Sequence, residues 1–324
     1  MIPAVLFFAL GYFAKLVKSD LKFPADMAKA LSIYLLISIG IHGGHELAKA
    51  DLFVAFKSII VAMALGLLLP LLAYRLLLTS RRMDRLNAAA IAAHYGSVSA
   101  GTFLTAVAFL DSAGIAYESY PLIMLAVMES PAIIVGLLLA AWARKKMNPI
   151  SAEEGNGSAG GLGEILRDAF TNGSVILLIG SMIIGAVAKP TALEKVLPFV
   201  DEIFMGVLCL FLLEMGMEAG RRANEFRRVG AFLVSFGIAM PLIGGLIGVV
   251  AGGVVLGFGV GGTVLVAVLG ASASYIAVPP AMRLAIPEAN PSYYLTLALG
   301  VTFPFNVVFG IPLYQWMAER LAAI

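Results

Sequence analysis

The sequence predicts an all-α integral membrane protein, with ten transmembrane helices in two five-helix inverted repeats and broken crossing helices 4 and 9. Three observations predict it. Hydrophobic residues make up 60% of the 324-residue chain and charged residues only 13%, about half the charged share of a soluble domain. Ten segments are apolar enough to cross a bilayer, and basic residues gather in alternate loops between them. Two of those segments, about 175 residues apart, carry the same glycine- and serine-rich interruption.

A helix needs about 20 apolar residues to span the hydrocarbon core. On that measure the spans run over 2–17, 24–44, 52–78, 86–110, 117–143, 172–188, 196–219, 228–256, 261–286 and 291–318. No basic residue precedes the first, so it reads as a retained span and not as a cleaved signal. It is short, and Lys15 and Lys18 have to snorkel toward the headgroups. Residues 145–171 are polar and rich in Gly and Ser, which predicts a flexible linker. The expected organisation is a first repeat over 1–144, the linker over 145–171 and a second, inverted repeat over 172–324.

The charges support the count. Lys15, Lys18, Lys22 and Lys29 follow span 1, and Arg75, Arg81, Arg82 and Arg85 follow span 3. Arg144, Lys145, Lys146 and Arg167 follow span 5; Arg221, Arg222, Arg227 and Arg228 follow span 7; Arg283 goes with span 9. Only Lys49, Lys57, Lys189, Lys195 and Arg320 fall on the other side. The positive-inside rule then puts the odd-numbered loops and the linker in the cytoplasm and both termini outside the inner membrane.

Similarity between the halves extends beyond the interruptions. Gly40 and Gly44 match Gly216 and Gly220, Ser97 and Ser99 match Ser272 and Ser274, and Pro131 and Gly136 match Pro304 and Gly310. Offsets stay between 173 and 176 residues. Five spans per repeat is an odd number, so the second copy lies upside down relative to the first.

A continuous helix satisfies its own backbone in lipid, so a break is costly unless it lines a cavity or is buried in protein. Gly96, Gly101 and Gly270 admit backbone geometries that other residues resist. Pro279 and Pro280 cannot continue a hydrogen-bond ladder but fit the first turn of a new helix. Each interrupted span is expected to present a half-helix N-terminus near mid-membrane, with roughly +0.5 elementary charge and free N–H donors. Paired breaks in corresponding positions of two halves point to a transporter's binding site. The expected anion ligands are Ser97, Val98, Ser99, Gly101 and Thr102 from the first stretch and Ser272, Ala273 and Ser274 from the second. Sodium is expected at Ser99, Thr102, Glu129, Ser274 and Thr302. Close helix packing is the competing reading of one Gly/Ser cluster; two clusters in repeat-related positions favour a site.

Intramembrane acids are functional candidates by default. Glu129 stands out because it lies just before Pro131 inside a span. Glu118 is expected at a span start on the outer face, favourable to the helix dipole. Glu214 and Glu218 are expected to pair with Arg221 and Arg222. His42, His45 and His94 have no metal-ligand spacing, and His94 is expected to bond unwound backbone.

Other functions are disfavoured. The single cysteine, Cys209, rules out an intrachain disulfide and any CxxC motif. No HExxH or GxSxG motif and no P-loop is present, so neither an enzyme nor direct ATP drive is expected, and no cofactor or nucleic-acid partner either. The glycines at 257–262 lack a βαβ context and read as a loop. The spacings Gly40/Gly44, Gly216/Gly220 and Gly244/Gly248 fit a helix-packing motif, but 34 glycines produce such spacings easily.

The chain resembles the sodium-dependent bicarbonate transporter family. The residues that carry the resemblance are Gly216 to Ala219, Val98, Ser99 and Thr102, Ala271, Ser272 and Ser274, Pro279 and Pro280, and Ile286 to Tyr293. It implies a sodium-coupled bicarbonate permease, a homotrimer, a gate and a core domain, and in some members a PII-like regulatory protein on the cytoplasmic side. It also implies that broken spans 4 and 9, with spans 5 and 10, carry the site, the other spans being scaffold and support. The chain departs from the family pattern at Tyr275, where an aspartate is expected, and at Ala100, Gly101, Ala277 and Val278.

The function expected is therefore sodium-coupled symport of bicarbonate by alternating access, with membrane lipid as surroundings. Two alternatives stay open: a sodium-coupled carrier of a small organic anion, and a non-transporting membrane sensor or docking protein on the same scaffold.

Overall fold

The computed structural model describes residues 3–24, 26–48, 51–79, 82–129, 131–147, 173–196, 198–222 and 226–323. The expected linker lies outside the described residues beyond Met147, as does Arg167. Among the described residues the chain is helical, with no strand. The first half contains α1 (Pro3–Leu16), α2 (Met27–Leu47), α3 (Leu52–Thr79), α4 (Arg85–Gly96), α5 (Ala100–Ala113), α6 (Tyr120–Met128) and α7 (Pro131–Met147). The second contains α8 (Gly173–Val187), α9 (Phe204–Arg222), α10 (Gly230–Leu256), α11 (Val260–Ala271), α12 (Val278–Ala285) and α13 (Pro291–Ala322).

Among the described residues, five helical runs are long and apolar enough to cross a membrane: α2, α3, Tyr120–Lys146 over α6 and α7, α10 and α13. The other expected spans differ for physical reasons. Helices α1 and α8 have 14 and 15 residues, about 21–23 Å of rise against a hydrocarbon core of about 30 Å. Helix α9 carries Glu214, Glu218, Arg221 and Arg222 in its last turns. The segments 86–110 and 261–286 are each divided, into α4 with α5 and α11 with α12.

Small residues set how the helices meet. Helix α1 lies against α9, and α2 against α8. A Cβ on Gly11 would run into the Leu213 carbonyl, and one on Gly216 into the Phe8 carbonyl. At the other crossing Gly44 abuts the Met182 carbonyl and Gly185 the Ile41 carbonyl. Gly244 and Gly248 of α10 abut Gly270 and Ala267 of α11. The glycine spacings set aside as chance are thus close helix contacts, with Gly44, Gly216, Gly244 and Gly248 meeting backbone and Gly40 and Gly220 meeting the Cβ atoms of Ser181 and Lys15, because only a missing Cβ admits helices this close. A second group of contacts joins α3 to α4, α6 and α7, and α10 to α11 and α13. One continuous apolar core runs through both groups.

Charges behave as expected at the end of α9. Arg221 bonds Glu214 at 3.3 Å and Glu218 at 3.0 Å, and Arg222 bonds Glu218 at 2.9 Å. Glu118 caps a helix other than its own: its Oε1 accepts the Gly259 N–H at 2.8 Å, at the start of α11. Arg144 closes a bidentate pair with Glu288 at 3.0 and 2.7 Å and also donates to the Ala285 carbonyl at the end of α12. Large apolar side chains point outward on many faces, among them Phe13, Leu52, Phe53, Leu68, Ile183 and Phe309, each more than half exposed. A surface this apolar suits lipid and not water. The chain is a multi-pass membrane protein.

Candidate functional site

Helix α4 starts on Asp84, whose carboxylate accepts the Leu86 and Asn87 N–H groups at 3.1 and 2.9 Å. It ends at Gly96, where the Pro70 ring of α3 leaves no room for a Cβ. Ser97 and Ser99 are extended, and α5 begins at Ala100. In the second half α11 ends at Ala271, Ser272 is extended, and α12 begins at Val278. The Gly96–Pro70 contact has a counterpart in Gly270–Gly244, each residue displaced by 174 positions.

The two stretches meet. The Ser99 N–H donates to Ser272 Oγ at 3.1 Å, and the Ser274 N–H donates to the His94 carbonyl at 2.8 Å. Ser272 Oγ in turn donates to the Leu269 carbonyl at 3.0 Å, and Asn306 Nδ2 donates to the Ala271 carbonyl at 2.9 Å. Two of the free carbonyls that end α11, those of Leu269 and Ala271, are thereby paired inside the protein, as a buried helix end requires.

Ser99 is the N-cap of α5. Its Oγ accepts the Thr102 N–H at 3.2 Å and the Thr102 hydroxyl at 2.9 Å. The first-turn N–H groups of Ala100 and Gly101 have no acceptor within the helix, and Ala100 lines a narrow recess. The recess is bounded by Ser32, Val98, Ser99, Ala100, Glu129, Ser274, Tyr275, Ile276 and Ala277, and its volume is about 10 Å³, room for roughly one water. Glu129 is buried, its Oε2 has no partner among the described residues, and its backbone carbonyl accepts Ser97 Oγ at 3.4 Å. The Tyr275 hydroxyl is also buried and neighbours Ser99 without closing a hydrogen bond of good geometry.

Of the residues expected at a site, Val98, Ser99, Glu129 and Ser274 line this recess. Ser97, Thr102 and Ser272 are buried beside it with the partners given above, and Ala273 is buried. Gly101 admits the Tyr275 hydroxyl and the Phe211 ring, at 2.5 and 2.8 Å from where its Cβ would stand. Thr302 has partners of its own, the Gly237 carbonyl at 2.7 Å and the Tyr95 hydroxyl at 2.6 Å. One expectation needs correction. Each half-helix was expected to offer free N–H donors, but with Val278 first in α12, Pro279 and Pro280 occupy the next two positions. They have no N–H, so α12 brings its dipole and few donors.

Sequence reasoning passed over Ser32, Ile276 and Ala277 as lining residues, and Asn306 as the partner of the α11 end. Asn306 alone carried a signal, an amide inside an apolar run. His94 was expected to bond unwound backbone; its Nδ1 instead meets the Ala90 carbonyl one turn back within α4 at 2.7 Å, and the ring stacks on Tyr294 with centroids 4.4 Å apart. No cluster of His, Cys, Asp and Glu able to hold a metal exists among the described residues.

Two larger cavities flank the recess along α2. One, of about 680 Å³, lies at the start of α2 by Asp26, Lys29 and Gly173 and reaches Ser32, Tyr275 and Ile276, which it shares with the recess. The other, of about 280 Å³, lies toward the end of α2 among Ser38, His42, Asp111, Tyr117 and Asp201. Against known families, residues 3–319 match the Na+-dependent bicarbonate transporter superfamily. No curated protein matches the chain.

Proposed function

The chain belongs to the Na+-dependent bicarbonate transporter superfamily, and from that premise we propose that it is a sodium-coupled symporter of bicarbonate that works by alternating access. On this reading ten spans form two inverted repeats, 1–144 and 172–324, joined by a cytoplasmic linker at 145–171, with both termini outside the inner membrane. Spans 4 and 9 are broken crossing helices. Support for the repeat comes from contacts that recur at matching positions: α1 on α9 with α2 on α8, and Gly96–Pro70 with Gly270–Gly244. The homotrimer and the PII-like partner rest on the resemblance alone.

The anion sits at the start of α5, on the Ala100 and Gly101 N–H groups, with Ser97, Val98, Ser99, Thr102, Ser272, Ala273 and Ser274 around it. Sodium binds Glu129 Oε2 together with the hydroxyls of Thr102 and Ser274, and the Ser99 hydroxyl joins them when the recess widens and the Thr102 hydroxyl turns from Ser99 to free a lone pair. Glu129 supplies the carboxylate that Tyr275 does not. Thr302 acts through Tyr95 as a positioning residue for the end of α4.

Coupling follows from charge. A carboxylate and a bicarbonate about 5 Å apart repel by roughly 3 kcal/mol at an effective dielectric near 20. Sodium between them replaces repulsion with two attractions, so each solute raises the affinity of the other by the same factor. The recess holds about one water in this conformation, so loading requires it to widen. The cavities at opposite ends of α2 supply the two approaches. The observation that carries the reading is the buried Glu129 carboxylate, whose Oε2 has no partner among the described residues, in a recess that Ser99, Ala100 and Ser274 also line.

The test is uptake of labelled bicarbonate into proteoliposomes with and without an inward sodium gradient, against small carboxylates as competitors. Uptake that ignores sodium sinks the coupling, and a carboxylate that displaces bicarbonate at lower concentration sinks the substrate. Ser99→Leu and Ser274→Leu are expected to abolish flux; a docking protein on this scaffold would keep its partner through both changes.

A further inference from the structure

Away from that site, an apolar groove of about 1000 Å³ runs between α3 and α7. Leu65, Leu68, Leu72, Leu139 and Ile247 line it, and Trp142, Tyr74 and Arg75 stand at one end. From Leu65 to Leu78 the α3 wall rises about 20 Å, longer than the roughly 15 Å hydrocarbon depth of one leaflet. Arg75 lies one turn before the end of α3, and Arg144, Lys145 and Lys146 fill the last turn of α7, a basic cluster that suits a membrane interface at this end of the groove.

That end is chemically distinctive. Arg85 Cζ lies 5.5 Å and Lys146 Nζ 5.3 Å from the centre of the Trp142 ring. Tyr74 meets the same ring edge-on with centroids 6.3 Å apart. Arg85 Nη1 and Tyr74 Oη are both buried with no hydrogen-bond partner among the described residues, and Tyr74 is only 4% exposed. The adjacent carboxylate, Asp84, is engaged by the first N–H groups of α4 and by Asn87 Nδ2 at 2.6 Å. Buried donors left unpaired cost free energy, and a phosphate is the group that suits a guanidinium, a phenol and an ammonium together.

We infer that this groove binds an anionic diacyl phospholipid, its phosphate held by Arg85 and Tyr74, with Arg75 and Lys146 at the rim and an acyl chain along α3. Charge complementarity selects the headgroup, and the groove's length and leucine lining suit the chain. The binding is independent of the transported anion.

The test uses the full-length protein in phosphatidylcholine nanodiscs. The chain has two tryptophans, so Trp316→Phe leaves Trp142 as the only reporter. Phosphatidylglycerol with brominated acyl chains is expected to quench Trp142 at a roughly fivefold lower mole fraction than brominated phosphatidylcholine, the advantage of one engaged basic side chain. Arg85→Gln is expected to bring the two lipids level, and millimolar inorganic phosphate to leave the preference unmoved. Should Arg85→Gln fold poorly, Tyr74→Phe, which deletes only a hydroxyl, must lower the preference. Equal quenching by the two lipids overturns the inference, as does a preference that survives both substitutions. Displacement by inorganic phosphate marks a free-anion site and also overturns it, and absence of quenching by either lipid shows that no lipid occupies the groove and overturns it as well. No outcome depends on flux, so failure here leaves the transport reading standing.

Discussion

Ser272 and Ser274 look alike along the chain, yet their hydroxyls have different employment, and alanine at each position separates the two roles. Ser272 Oγ accepts the Ser99 N–H at 3.1 Å and donates to the Leu269 carbonyl at 3.0 Å. Ser99 and Ser272 are 3% and 1% exposed, so water cannot replace the lost acceptor. Orphaning a buried N–H costs about 1–3 kcal/mol, and the lost bond to Leu269 about 1 more. Interhelical hydrogen bonds in membranes average nearer 0.6 kcal/mol where the chain finds other partners. The Ser99 N–H points into a crossing with few alternatives, so we place Ser272→Ala at roughly 2 kcal/mol of destabilisation. Ser274 contributes its backbone N–H to the crossing, which alanine retains, so Ser274→Ala is expected to stay within about 0.5 kcal/mol. Flux should fall in both, through a loosened crossing in one and a missing ligand in the other. Melting of the purified proteins, alongside bicarbonate uptake, reads the difference. Equal melting of the two variants would refute this division of labour.

Glu129→Gln is expected to lower the sodium dependence of uptake at least tenfold while leaving melting unchanged or higher, because it removes a buried carboxylate whose Oε2 has no partner among the described residues; sodium titration of uptake checks it. Gly216→Ala and Gly44→Ala push a methyl into the Phe8 and Met182 carbonyls and should each cost about 1–3 kcal/mol. Gly180→Ala, with nothing within 4 Å of its added Cβ, should gain about 0.5–1 kcal/mol, and matching melts for all three would contradict the packing argument. The Arg144 guanidinium holds the Glu288 carboxyl below its ordinary value of 4.5. A depressed carboxyl contributes stability above its unfolded pKa and loses it as pH falls through the folded one. With these side chains 40% and 47% exposed, screening keeps the effect under about 1 kcal/mol. Melts below about pH 4.5 should fall less steeply for Arg144→Gln than for the unchanged chain.

Much of the fold was legible because it is local. Hydropathy marks α2, α3, α10 and α13 without reference to any neighbour. The ends of α4 and α11 fall where glycine, serine and proline weaken a helix. The ion pairs of α9 follow from spacings of three, four and seven residues. The glycine spacings misled because a GxxxG pattern says nothing of what faces it. Glu118 was placed rightly near a helix start, but the helix is α11, reached only through the fold.

Membrane residence, helical class and the positions of the two interruptions are written in the order of residues, because burial in lipid and failure of a helix depend on side chains close in sequence. Which serine caps a helix, which joins the halves and which borders an open space depends on groups brought within about 3 Å from 173 positions away. A hydroxyl has one proton and two lone pairs, so its partners decide what is left to offer. Proximity in space, which no local pattern encodes, made Ser272 a fastener and left Ser274 and Glu129 facing the recess.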